Sequence, residues 1–532
     1  MAESDEQKSM LYKLKPVTDR LPAVTRPEGH VHFRTKMMWI VLILVVYFAM
    51  TNIVIYGLNT SQRIDLFAQY RAILAGAQFS LMHLGIGPIV TGSIIMQLFT
   101  GAKIIKLNLK DDEDKAVYQG TQKLMVIIMI VVEAVPQVYG FMEPSTKFSA
   151  GMNQILPGHG AGLAKTLIVA QLFVGSYLVF LMDEVVSKWG IGSGISLFIA
   201  AGVAQQIFTG SLNWHPADNA LPINSTSNPP AGTIPKTIYL FQHMSAPQLV
   251  NGGFERIFLA QPNPMVALIG TIVIFLFVAY TESSRIELPL AHGGARGARG
   301  RYPIKLIYAS NIPVILMAAL LANVSMFSML FYNHPSFENV PLLGHNSMLG
   351  YYAPGASKPA GGLAYYLSNV NGVGDWLLPL LSNQYMNSYN SGLGSPGFAK
   401  DGLQIGIHVV VYVTVMIIGS VLFARFWIET TNMGPEAVAS QIESSGMQIP
   451  GFRRDPRVLK RVLERYIPVV TVISGATVGA LAAGADLIGT VGNASGTGVL
   501  LSVGIMIQLY DAIGREQMME MHPVLRGFFG GE

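Results

Sequence analysis

The residues of this chain that could do chemistry fall into two sets. Arg296, Arg299 and Arg301 stand among glycines in HGGARGARGRYPIKL (292–306), and Arg453 and Arg454 head a second basic run, GFRRDPRVLKRVLERY (451–466). Guanidinium groups take phosphate oxygens two at a time, so clustered arginines on flexible backbone suit a polyanion. The same charge can instead anchor a loop at an anionic lipid surface and signal topology. Against these cations stands one acid, Glu133, the single ionisable residue near the middle of any long apolar run. A carboxylate there is costly unless it is protonated or hydrogen-bonded. The 532 residues include no cysteine, which excludes disulfides, thiolate metal sites and cysteine nucleophiles. No GxxxxGK(S/T) phosphate loop occurs, so energy must come from a partner.

The elements that carry these residues are membrane spans. Hydrophobic residues make up 51% of the chain and charged ones only 12%, against about 25% charged in soluble domains. A span needs roughly 20 mostly apolar residues. Candidates lie near 37–58, 84–101, 119–140, 163–182, 191–209, 264–281, 304–329, 403–428, 466–485 and 497–514. The N-terminal stretch is polar and the first apolar run is too long for a signal-peptide core, so no cleaved signal is expected. Ten spans return the chain to the side on which it starts. With the N-terminus inside, the inner segments hold 27 of the 35 lysines and arginines and the outer ones 8. The positive-inside rule then puts both termini in the cytoplasm.

The connecting segments differ in kind. Two long outer ones, 210–262 and 330–402, are rich in Asn, Ser, Gly and Pro and poor in charge; Asn224 and Asn493 sit in outer Asn-x-Ser/Thr tripeptides. Inside, the glycines of 292–300 disfavour helix, whereas Val458, Val462 and Leu463 predict a short amphipathic helix within 451–466. Residues 61–83 place Leu66, Tyr70, Ile73 and Leu74 at helical spacing but carry Arg63, Asp65 and Arg71, so they do not cross lipid cheaply. A short outer helix that folds back before the glycine- and proline-broken run at 84–99 needs a cavity covered by protein or filled with water. The alternative is a helix lying flat at the interface. Ile86 and Val90, and likewise Ile195 and Ile199, are spaced to share one helix face.

LGIGPIVTGSIIMQLF (84–99), GSGISLFIAAGVAQQIF (192–208), GRYPIKLIYASNIPVILMAALLAN (300–323) and GTGVLLSVGIMIQLYDAIGRE (496–516) resemble the matching helices of the SecY family. That family forms the large subunit of the Sec protein-conducting channel, and its archaeal and eukaryotic branch is the more similar. The resemblance runs through almost the whole chain in order, the two long outer segments excepted. It implies an all-α membrane protein of ten transmembrane helices, in two inverted five-helix halves (1–262 and 263–532) around an hourglass pore. It implies an apolar pore ring of Ile86, Val90, Ile195, Ile199, Ile315 and Leu501, which dewets and blocks ions yet can close around a passing polypeptide. Residues 61–80 match the plug that seals the outer funnel. Thr91, Glu133 and Asn323 match the polar cluster of the lateral gate, where the second and third helices part from the seventh and eighth. Many relatives carry glutamine where this chain has Glu133. The basic loops 282–303 and 429–465 would bring Arg296, Arg299, Arg301, Arg453 and Arg454 to ribosomal RNA.

The implied function is a passive channel subunit, not an enzyme, with no cofactor. It would pass unfolded secretory polypeptides across the cell membrane and release transmembrane segments sideways into lipid. Expected partners are a SecE-like gamma subunit and a beta subunit in a heterotrimer, the ribosome, polypeptides bearing signal sequences, and the bilayer itself. Two other classes fit less well. A small-molecule secondary transporter with inverted repeats would ordinarily need several coordinating groups at the midplane, where this chain has one glutamate. An intramembrane aspartyl protease would pair Asp511, after Tyr510, with Asp375 of GVGD (372–375). Asp375 falls in an outer loop, however, and the motifs come in reverse order for that class.

Overall fold

Each apolar run becomes a helix: Phe33–Asn52 (α1), Gly87–Gly101 (α2), Asp112–Phe141 (α3), Gly160–Trp189 (α4), Gly194–Leu212 (α5), Met265–Ser283 (α6), Ile312–Asn333 (α7), Gly402–Thr430 (α8), Pro456–Ile488 (α9) and Gly496–Met521 (α10). Nine are long and apolar enough to cross a membrane; α2 has only 15 residues. The computed structural model describes all residues except 1–9, 30, 60–70, 72, 102–103, 106, 108–110, 218–222, 224–227, 293–298, 306–310, 334–339, 341–347, 354–357, 395–398, 432, 445–446, 449–455, 493 and 522–532. Asn224 and Asn493 therefore lie outside the described residues.

Three local expectations change. The seventh span begins at Ile312 rather than 304, because Arg299–Lys305 (β2) pairs antiparallel with Arg285–His292 (β1). Pro313 then stands in the first turn, where a missing amide hydrogen costs nothing. The basic run 451–466 does not make a separate short helix: from Pro456 it is the first part of α9. Its apolar face is already docked, since Leu463 and Ile467 are buried with Val438 and Ala439 of the helix Pro435–Ser444 and with Ala424 and Ile428 of α8. Asp375 is helical, in the first turn of Val373–Leu381, and takes an ion pair from Lys358 at 2.7 Å.

Contacts divide the helices into two sets that repeat each other. In the first half α1 packs on α4 and α5, α2 on α3, α3 on α4 and α4 on α5; in the second, α6 packs on α9 and α10, α7 on α8, α8 on α9 and α9 on α10. Five crossings per half mean that the second half enters the membrane from the opposite side, so the repeat is inverted. Between the halves, α2 and α3 meet α7, α2 meets α8, and α5 meets α10. A small sheet adds to the helical fold. β1 also pairs with Met447–Gln448 (β3), so the two basic loops are joined by backbone hydrogen bonds.

The α8–α9 contact depends on GATVG, residues 475–479. A Cβ at Gly475 would sit 2.9 Å from the Val421 Cα, and one at Gly479 only 2.7 Å from the Met416 carbonyl oxygen. Small residues four apart let helix backbones approach where lipid supplies no hydrophobic drive. Gly479→Val should therefore lower stability in detergent by about 1–3 kcal/mol through overpacking. Gly484→Ala, where a Cβ meets nothing within 4 Å, should leave the melting temperature the same or higher. Thermal unfolding of the two variants checks both.

Candidate functional site: an apolar neck, a polar seam and two carboxylate caps

The residues singled out for a pore ring all sit where helices begin. Ile86 immediately precedes α2 and Val90 lies in its first turn; Ile195 and Ile199 lie in the first two turns of α5, Ile315 in the first of α7 and Leu501 in the second of α10. Ile86, Val90, Ile199, Ile315 and Leu501 are buried in one continuous apolar core, and Ile195 packs against it partly exposed.

A helix starting inside the protein must place its first amides, and two aspartates do this. Asp183, near the end of α4, accepts from the Ile195 amide at 2.9 Å. Asp486, near the end of α9, accepts from the Thr497 amide at 2.8 Å, the Thr497 hydroxyl at 2.5 Å and the Tyr412 hydroxyl at 2.6 Å. These are equivalent positions in the two halves, and each carboxylate also faces the positive end of the helix that it caps. Glu133 is thus not alone: Glu184, His408 and Asp486 are also buried within the long helices, and Asp183 is partly buried there. The apolar runs read from sequence stop short of 183 and 486, which put these acids in loops. The available signal was an Asp about ten residues before a Ser-Gly that opens the next span, at Ser193-Gly194 and Ser495-Gly496.

The seam between the halves carries the predicted polar cluster. Thr91 of α2 donates to Glu133 of α3 (Oγ1 to Oε1, 2.9 Å), and Asn323 of α7 donates to the Thr91 hydroxyl oxygen at 2.9 Å. Glu133 is 4% exposed and Thr91 8%. The cluster therefore joins the first half to the second through a single amide.

Of the plug segment, Arg63, Asp65, Leu66 and Tyr70 lie outside the described residues. Ile73 and Leu74 are in a turn rather than the helix their spacing predicts. The reason is local: Gly85 adopts φ +57°, and the Ile86 amide donates back to the Leu74 carbonyl at 2.8 Å. Tyr47 of α1 holds the Ala75 carbonyl at 3.2 Å and stacks on Phe198 of α5. The side chain of Ile73 lies against Gly498 of α10, so this segment touches both halves. Arg299 and Arg301 are in β2; Arg296, Arg453 and Arg454 lie outside the described residues.

Ten helices in an inverted repeat, closed by an apolar core and stitched by one polar cluster, match one known architecture. The SecY family profile covers residues 80–510, and the profile for the plug domain of Sec61p covers 45–78. The chain belongs to the SecY family. It is 44% identical to the protein translocase subunit SecY of Archaeoglobus fulgidus over 98% of this chain and 99% of that one. It is 45% identical to the SecY of Haloferax volcanii over 97% and 99%. Among solved structures, a protein-conducting channel superposes with a TM-score of 0.71 at 37% identity, over 96% of this chain and 98% of that one. Sec61 in a canine ribosome-channel complex gives 0.68 at 37%, with the same coverage. SecY membership of the archaeal type also sets aside the solute-transporter and protease readings. The coverage shows that the long outer segments are family-sized rather than insertions.

The caps generate a prediction. Asp486→Ala leaves two hydroxyls and an amide without their acceptor, and each stranded group costs about 1–3 kcal/mol. The variant should unfold at a clearly lower temperature, and its resting channel should leak ions because the helix that carries Leu501 loses its anchor. Asp486→Asn keeps one acceptor oxygen and should fall between. Planar-bilayer conductance beside thermal melts tests this; a silent Asp486→Ala channel with an unchanged melt would remove Asp486 from the account of the neck.

Proposed function

We propose that this chain is the pore-forming subunit of a protein-conducting channel in the cell membrane, with both termini cytoplasmic, and that it performs no covalent chemistry. One observation carries the reading: Thr91, Glu133 and Asn323 form the polar link between two helix sets, α2 and α3 on one side and α7 on the other, beside an apolar neck. A seam of this kind can open toward lipid when a hydrophobic helix replaces its contacts. An apolar neck closes again around the chain or around nothing. Ile86, Val90, Ile195, Ile199, Ile315 and Leu501 serve as the ring, and residues 61–80 as the plug. The halves 1–262 and 263–532 move as units.

The substrates are unfolded secretory polypeptides and membrane segments with signal sequences. A gamma subunit and a beta subunit complete the assembly, and the translating ribosome supplies the push. Support for ribosome docking comes from the canine relative, solved within a ribosome-channel complex, and from the strand pairing that brings both basic loops into one cytoplasmic structure.

The seam is tested through signal selectivity. Asn323→Leu removes the donor to Thr91 and adds apolar packing, so a signal has no polar contact to displace. A polar contact in a membrane is worth about 0.6–1.7 kcal/mol, equivalent to one or two buried methylenes at about 0.8 kcal/mol each. Translocation of a graded signal series into proteoliposomes should show weakly hydrophobic signals rejected and strong ones unaffected. A threshold that stays put would remove the gate role.

The basic loops are tested by salt. Changing Arg296, Arg299, Arg453 and Arg454 to glutamate should weaken ribosome binding and flatten its dependence on salt, by roughly 0.7–0.9 in log K per log salt for each lost phosphate contact. Unchanged binding at every ionic strength would return these loops to lipid anchoring.

A further inference from the structure

The helix Thr233–His243 lies in the outer segment that joins α5 to α6, and its faces are the reverse of what water requires. Thr233, Lys236 and Leu240 point into the protein and are buried. Ile234, Ile238 and Phe241, at i, i+4 and i+7, share the outward face and are exposed. A helix on a water-covered surface turns its charges out and its apolar stripe in. Here Lys236 is 2% exposed and Phe241 49%.

The inward face is held by hydrogen bonds. The Lys236 ammonium donates to the carbonyls of Ala260 at 2.6 Å and Pro262 at 3.0 Å, and the Thr233 hydroxyl donates to the Asn263 carbonyl at 3.1 Å. Lysine stems ordinarily carry their charge out to water; this one is kept in by the chain that leads into α6. The Gly232 amide donates to the Asn213 carbonyl at 2.9 Å. The helix is thus oriented by its polar face, and its apolar one is left outside.

The same bonds set its level. α5 ends at Leu212 and α6 begins at Met265, so a helix tied to residues 213 and 260–263 starts where two spans leave the hydrocarbon. It packs on both of them. Exposed apolar rings continue the outward face. Trp214 follows α5, and Phe254, whose ring centroid lies 6.3 Å from that of Phe241, stands in the short helix before α6. Single exposed apolar residues are ordinary, but a set drawn from three pieces of one segment marks an interaction surface. The outward face of the helix carries no charge to select a protein surface, whereas a tryptophan just past the end of a span suits the boundary between lipid and water.

We propose that Thr233–His243 is an interfacial helix seated in the outer boundary of the bilayer, with Ile234, Ile238 and Phe241 among the lipid chains and Trp214 at headgroup level. Such a face reaches about 5–10 Å into the boundary. The link between α5 and α6 then rests on the membrane instead of standing in the water above it. This goes beyond the channel reading, which gives the segment 210–262 no part, and it needs only a chain that spans the membrane.

A chain without cysteine can be labelled at one chosen place. A nitroxide goes on Ile238→Cys or on Phe241→Cys, in the complete channel reconstituted into phosphatidylcholine vesicles. Its collisions with oxygen, which concentrates in lipid, are compared with those of a water-soluble nickel chelate. Leu276→Cys, exposed in the middle of α6, gives the lipid limit. Asn387→Cys, exposed in the outer helix Asn383–Gly392, gives the water limit. All four side chains are exposed, so no packed group is displaced. Both test labels should read a depth of about 5–10 Å into the boundary. Labels that behave like the one at Asn387 would put the helix in water and overturn the proposal. Labels shielded from oxygen and nickel alike would mean that protein covers the face, which also overturns it. A second measurement needs no label. The tryptophan emission lost on Trp214→Phe should be emission that brominated phosphatidylcholine quenches in the unmodified protein. If the lost emission is the unquenched part, Trp214 is not at the boundary and the seat assigned to this segment falls with it.

Discussion

A helix that begins inside a membrane leaves its first amide hydrogens with no water to receive them, and this molecule is arranged around that cost. An hourglass neck needs helices that start part-way through. The amides of α5 and α10 go to the carboxylates of Asp183 and Asp486. At α7 the Val314 and Ile315 amides reach the carbonyl of Asn311. At α2 the Ile86 amide is taken by the Leu74 carbonyl of the plug segment itself. Each residue singled out for the ring is therefore within a turn or two of a cap, and the turn at Leu74 is bonded to the backbone of Ile86. The caps explain why so apolar a chain carries a buried aspartate at 486, tolerable only with its bonds made.

The front seam between the halves is held much less firmly than either half is held internally. Inside each half, backbones nearly touch, as at Gly475 and Gly479 against α8 and at Gly92 against Val126. Across the front seam run the side-chain hydrogen bonds of Asn323 with Thr91 and of Gln137 with Met326. At the back, α5 packs on α10 and a Cβ at Gly210 would sit 2.5 Å from the Gly492 Cα, so the backbones of the two halves nearly touch there. Close backbone contact at one edge and side-chain pairs at the other make the front seam the edge that costs less to separate, whereas bending a half would break its packing.

The spans were legible because lipid imposes long apolar runs, visible without a fold; the ring residues were named through family resemblance, since isoleucines four apart are ordinarily just core. Glu133 stood out as an acid in mid-span, but its partners Thr91 and Asn323 could be named only through family resemblance; nothing in a single sequence says that residues 232 positions apart share a hydrogen bond. Helix ends were the weak point. Asp183 and Asp486 sit just past the hydropathy limits, so a cap looks like a loop. The α7 start was misplaced because Ile304 and the apolar residues after it read as span, while strand pairing with β1 claims 299–305. The separate helix within 451–466 failed for a related reason: amphipathic periodicity gives a face, not a stopping point, and the face of Leu463 had a partner in line with the span.

The inverted repeat gives the two loops at the pore mouths a common origin in position and opposite uses. The α1–α2 linker of the first half corresponds to the α6–α7 linker of the second, since α1 and α6, and α2 and α7, make equivalent contacts. On the outer side that linker carries Ile73 and Leu74 down between the halves and bonds to Ile86. On the inner side it is the β1–β2 hairpin, basic and glycine-rich. Its composition differs between the two places: in the first half a turn whose Leu74 carbonyl takes the Ile86 amide, in the second a glycine- and arginine-rich hairpin. The α8–α9 linker supplies β3 and the second basic run on the same inner side, while its counterpart between α3 and α4 lies outside and carries a single lysine within Thr146–Ile155. The repeat thus sets where the loops stand, and equivalent places in it hold a buried apolar turn in one half and a basic hairpin in the other.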